Sequence, residues 1–307
     1  MTAKCNYFWK SQSGNAIQYM KCFNGKSLKL DGGKKLTQLY VIIPGNPGCI
    51  QFYEKFAEEL CNLTNNPVWG ISHSGHARCG SGMKHPEKTD CGLQKQIEHK
   101  VQFLEEDVFP VAEKVFLIGH SIGTYIILQI MERLFGKYKN EVRGILLLPT
   151  IEKLLLSPNG QKIVSLVHNE RWLTPIVSAT LNVLHLLPNA VLDCILPFFV
   201  ETKEEFILNT IKDNISPHVV MSAMYMGLTE MLEVTEREDH ILDKHIDNLV
   251  FYYGATDKWC PVSLYESMVK TYGQRNNIML CQQNIPHAFV LTKSLEMAKI
   301  VASFEMN

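Results

Sequence analysis

Six short apolar runs punctuate the chain: Leu39–Ile43, Pro67–Ile71, Val115–Ile118, Gly144–Leu148, Leu249–Tyr253 and Ile278–Cys281. Each is too short for a buried helix, and several end at glycine or proline, so each reads as a strand buried on both faces. Between them the apolar spacing changes. Phe52, Phe56, Leu60 and Leu63 fall at helical intervals, as do Leu93, Ile97, Val101, Leu104 and Val108. Further helices are expected near Pro261–Thr271 and after Pro286. Strands buried on both faces need a helix layer on each side. The alternation therefore predicts right-handed βαβ units on a mostly parallel sheet, an α/β fold.

The pattern breaks between the fourth and fifth runs. Residues 150–246 are expected to form a helical, apolar insertion, with 1–149 and 247–307 making one core around it. Within the insertion, 172–192 carries no formally charged residue, and apolar residues resume at Cys194-Ile195-Leu196-Pro197-Phe198-Phe199-Val200. Pro175, Asn182, His185, Pro188 and Asn189 interrupt the stretch. Their polar and helix-breaking groups favour interfacial helices or a cap over a greasy pocket rather than a bilayer span.

Lys plus Arg number 30 against 31 Asp plus Glu, a net charge of −1, which excludes the basic surface a nucleic-acid partner requires. Nine cysteines at irregular spacings, without a C-x-x-C pair, read as reduced thiols rather than a disulfide framework or zinc ribbon. The first fourteen residues hold Lys4 and Lys10 and no apolar core, so no signal peptide is expected there.

Gly119-His120-Ser121-Ile122-Gly123 follows one predicted strand and opens an apolar helix, Ile122–Met131. This is the strand–turn–helix context in which G-x-S-x-G presents a nucleophilic serine, with Gly119 and Gly123 permitting close approach of strand and helix. A serine hydroxyl needs a base, and the base a group to orient it. Asp257 follows the strand ending at Tyr253, and His287 follows the one ending near Cys281, in the required chain order. Asp239, Asp243 and Asp247 precede their strand and would lie at its wrong end. His73 and His76 come before the serine and are expected to line the pocket or hold loops together. His120 is expected to point away from Ser121. His168, His185, His218, His240 and His245 are expected to be surface or satisfied polar residues. The oxyanion donors should be the N–H of Ile122 and, from Pro44-Gly45-Asn46-Pro47-Gly48, that of Asn46.

On these residues the chain resembles the α/β-hydrolase superfamily over nearly its whole length. Within it, Ile42-Ile43-Pro44-Gly45-Asn46-Pro47-Gly48, Gly119–Gly123 and Asn284-Ile285-Pro286-His287 resemble the lipid droplet-associated hydrolase family. Ser72–Ala77 departs from the Asp-x-x-Gly-His-Gly seen in many relatives. The resemblance implies a serine esterase of lipid esters, sterol esters foremost, at lipid droplets and the endoplasmic reticulum on their cytosolic face. It also implies an influence on cholesterol and triglyceride storage. The chemistry requires no cofactor and no metal, and 172–200 would meet the droplet monolayer. Two other readings stand: a soluble thioesterase or small-ester hydrolase with a greasy cap, and a droplet-bound scaffold or lipid-binding protein with little turnover.

Overall fold

The computed structural model describes residues 2–25, 35–80, 82–138, 142–168 and 202–304, with short pieces between 179 and 200. Eight strands form one sheet in the order β1-β2-β4-β3-β5-β6-β7-β8. The six strands read from the apolar runs are β3 (Leu36–Ile43), β4 (Val68–Ile71), β5 (Ala112–His120), β6 (Val142–Leu147), β7 (Leu249–Gly254) and β8 (Ile278–Cys281). All neighbours from β4 to β8 are parallel. Leu39, Val41, Ile42, Val115, Leu117 and Leu146 are fully buried, as expected of strands covered on both faces.

Two strands escaped the sequence reading. β1 (Lys4–Gln12) and β2 (Asn15–Phe23) pair antiparallel, Gln12 facing Asn15 across Ser13-Gly14, both at positive φ. Such a two-residue turn matches the twist of a hairpin. Along β1 the residues are mostly exposed or half-buried, so this edge strand lacks the apolar run that marks an inner one.

Helices α1 (Glu54–Thr64), α2 (Leu93–Phe103) and α3 (Ile122–Tyr138) flank the sheet. The predicted stripes face inward at Phe56, Leu60, Leu93, Ile97, Leu104 and Val108, whereas Leu63 is exposed at the end of α1. The chain joining β6 to β7 supplies the helices Pro158–His168, Glu205–Asn214 and Pro217–Glu233. Most of 172–200, including the uncharged stretch, lies outside the described residues. Among the described residues no helix is long and apolar enough to cross a membrane.

Candidate active site

The turn after β5 places Ser121. Its φ of 53° lies in the left-handed region, which a non-glycine residue enters only when its surroundings hold it there. Ser121 N–H donates to the Leu147 carbonyl at 3.1 Å, and Ser121 O accepts from Thr124 N–H at 2.9 Å and from the Thr124 hydroxyl. The flanking glycines make the turn possible. A Cβ on Gly119 would come within 2.8 Å of the Gly123 carbonyl, and one on Gly123 would overlap the Ile43 carbonyl oxygen of β3.

Three side chains meet above this turn. Asp257, just past the end of β7, is buried, and its Oδ2 lies 2.6 Å from His287 Nδ1. His287 Nε2 lies 2.8 Å from Ser121 Oγ. A carboxylate only accepts, so Nδ1 carries the ring hydrogen and Nε2 is left to accept from the serine hydroxyl. Burial alone would push the Asp257 carboxyl up. Hydrogen bonds from His287, Trp259 N–H and the Cys260 thiol outweigh it and hold the group below its usual range. The arrangement can therefore remove a proton from the hydroxyl and return it to a leaving group. Asp257, Cys260 and His287 also bring a carboxylate, a thiol and an imidazole within 4.8 Å of one another, the one grouping among the described residues able to hold a metal ion. Burial pushes the Cys260 thiol well up, so it serves here as a donor to Asp257.

Sequence reasoning placed His120 away from Ser121, and the structure shows what it touches. Its Nε2 lies 2.7 Å from the His287 carbonyl oxygen and its Nδ1 2.7 Å from Tyr53 Oη. The carbonyl accepts, so Nε2 is the protonated nitrogen and Nδ1 accepts from the tyrosine hydroxyl. Tyr53 Oη in turn accepts from Gly45 N–H at 2.9 Å. Burial holds the His120 pKa down to about 3, keeping the ring neutral. Tyr53 and His120 thus tie the loop bearing Gly45 to the loop bearing His287. Nothing in the sequence motif announced Tyr53.

Within Pro44–Gly48 the donors can be accounted for one by one. The prolines have none. Gly45 N–H is taken by Tyr53, and Gly48 N–H donates to His76 Nδ1 at 2.9 Å. Asn46 N–H donates to no described residue, and neither does Ile122 N–H at the open N-terminus of α3. A Cβ on Gly45 would lie 3.1 Å from the Ser121 Cβ, so the loop runs directly beside the serine. His73 N–H donates to the Gly48 carbonyl at 2.8 Å. His73 and His76 thus brace this loop, and His76 also lines the cavity.

The site opens into a cavity of about 880 Å³, within the range of small-molecule pockets. Trp259, Leu154, Ile211, Val219, Met224 and Val290 contribute to its mainly apolar wall. Several wall residues come from the helices between β6 and β7. Thr150, Asn214 and Glu230 are polar exceptions.

Comparison with known proteins places the chain. The family model for lipid-droplet associated hydrolases matches residues 37–290. The chain belongs to the lipid droplet-associated hydrolase family. It is similar to the lipid droplet-associated hydrolases of Gallus gallus, 35% identical with 95% of this chain and 92% of that one covered, and of Homo sapiens, 37% identical with 94% and 91% covered. Among solved structures it resembles a thioesterase domain from the curacin biosynthetic pathway, with a TM-score of 0.63, 13% identity and 97% and 99% of the two chains covered. It also resembles 2-hydroxy-6-oxo-6-phenylhexa-2,4-dienoate hydrolase from Rhodococcus, at 0.64, 13% identity and complete coverage of both chains. Identities this low carry the fold alone, which is that of the α/β-hydrolases. Family and fold together make this member a hydrolase.

Proposed function

We propose that this family member is a serine hydrolase of lipid esters. Ser121 attacks the ester carbonyl while His287 takes its proton, and Asp257 holds the imidazole in its working tautomer. The N–H groups of Ile122 and Asn46 stabilise the oxyanion. His287 returns the proton to the departing alcohol, then activates the water that hydrolyses the acyl-enzyme. The observation that carries this reading is the unbroken hydrogen-bonded chain from Ser121 through His287 to Asp257 at the wall of an apolar cavity.

That cavity suits a long acyl chain or a sterol, and the relatives' names point to lipid droplets. The reading therefore extends to sterol and related acyl esters at the cytosolic face of droplets and the endoplasmic reticulum. Residues 172–200 would touch the monolayer, and the remainder of 150–246 would cap the site within the one hydrolase domain. Turnover there would draw on stored cholesterol and triglyceride.

Ser121→Ala is expected to lower ester turnover by about 10⁴-fold or more and to abolish fluorophosphonate labelling, while droplet binding persists. Purified protein assayed on short-chain, long-chain and sterol esters checks it. Undiminished turnover by the variant would remove Ser121 as the nucleophile. A wild-type protein inert to every ester and to the probe would favour a scaffold instead.

A further inference from the structure

Glu230 stands out among the cavity residues. It is only 7% exposed, and its Oε1 accepts from Asn46 Nδ2 at 3.0 Å. Among the described residues its Oε2 has no partner. A carboxyl buried without a countercharge is destabilising relative to an apolar side chain of similar size. Burial pushes its pKa up to about 7 against the pull of the Asn46 amide. Packing alone would be better served by Met or Leu, and Glu230 instead makes a specific contact.

It holds Asn46. The amide's second hydrogen goes to the Ala223 carbonyl at 2.9 Å, so both donors are spent on the helix Pro217–Glu233. The amide packs closely on that helix, where a Cβ on Gly227 would lie in ordinary contact with Nδ2 at 3.4 Å. The Pro44–Gly48 loop is consequently fastened from two sides. Tyr53, His73 and His76 grip Gly45 and Gly48, while Glu230 and Ala223 grip Asn46 from the helix Pro217–Glu233. The loop's backbone N–H that has no acceptor among the described residues belongs to the residue whose side chain is held this way.

We propose that Glu230 is a positioning residue: by fixing the Asn46 side chain it aims the Asn46 N–H at the oxyanion, which makes the helix Pro217–Glu233 part of the catalytic apparatus. The inference rests on the reading of Ser121 as nucleophile and Asn46 N–H as oxyanion donor. An oxyanion donor strengthens its bond as charge develops, so loosening it should slow the chemical step without weakening ground-state binding.

The test compares Glu230→Met, Glu230→Gln and Asn46→Ala in the full chain, with melting curves confirming that each is folded. Glu230→Met and Asn46→Ala are expected to lose 10- to 100-fold in kcat and in the rate of fluorophosphonate inactivation, with KM within threefold of wild type. Glu230→Gln keeps an acceptor for Asn46 and is expected to recover most of the lost rate. The double variant should lose no more than the worse single one, because the two side chains act as a unit. If Glu230→Met does not fold, Asn46→Ala reads the same contact from its other end. Values of kcat within twofold of wild type in the folded variants would overturn the proposal, as would a change confined to KM, which marks a substrate contact. If Ser121→Ala retains turnover, the underlying nucleophile assignment has failed, whatever the Glu230 variants do.

Discussion

Tyr53 shows how a residue outside the motifs can hold two loops of the candidate site in register. Its hydroxyl takes one hydrogen bond from Gly45 N–H and gives one to His120 Nδ1. Tyr53→Phe would leave both groups buried without partners, at about 1–3 kcal/mol each. The variant is expected to lose roughly 2–4 kcal/mol in denaturant unfolding and about tenfold in turnover. Wild-type stability in the variant would mean that the bonds contribute nothing. The meeting of Ser121, Asp257 and His287 was legible in the sequence because chain order and strand ends fix their positions. Tyr53 and Glu230 were not. Each sits at an ordinary helical position, and only the packed neighbour shows what it bonds.

At the scale of elements, the turn between β5 and α3 is a junction of backbone against backbone. Gly123 meets the Ile43 carbonyl of β3 so closely that backbone would have to move to admit a methyl group. Gly123→Ala is expected to cost more than about 3 kcal/mol and to abolish turnover, since displacement of α3 carries Ile122 N–H away from the serine. A soluble, fully active Gly123→Ala protein would show that the close approach is dispensable. The elements least legible in the sequence were β1 and β2. The exposed and half-buried positions of the edge strand β1 permit polar residues such as Lys4, Asn6 and Lys10. Strand β2, between β1 and β4, mixes buried Ile17, Met20 and Cys22 with half-buried residues such as Lys21. Neither forms an apolar run, and pairing across Ser13-Gly14 decides their structure.

For the whole molecule, the buried histidines set the response to acid. Burial holds His76, His99 and His120 down to about 3, 4 and 3, and pushes His73 well below its ordinary value. Below about pH 6.5 the unfolded chain binds protons that the folded chain refuses, so stability falls as pH falls, by up to about 1.4 kcal/mol per pH unit for each histidine. Glu230 works in the opposite sense. Its folded form keeps a proton up to about pH 7, whereas the unfolded carboxyl ionises at its ordinary value of 4.5, so between those values it offsets one histidine. The net expectation is a loss of at least about 2 kcal/mol per pH unit between pH 6 and pH 5. Denaturant unfolding at pH 7, 6 and 5 measures it, and a flat profile would mean that these rings accept protons in the folded state.

By itself the sequence determined the strand–helix alternation, the six parallel strands β3 to β8 and the chain order of serine, acid and histidine. These follow from local periodicity and from groups that must sit at strand ends. Tertiary structure alone decided what the helices between β6 and β7 contribute. Their apolar residues look alike in sequence whether they face solvent, membrane or cavity. Only when the helix Pro217–Glu233 lies over the sheet does one acid among many become Asn46's partner, because a buried carboxyl is defined by its neighbours and not by its place in the chain.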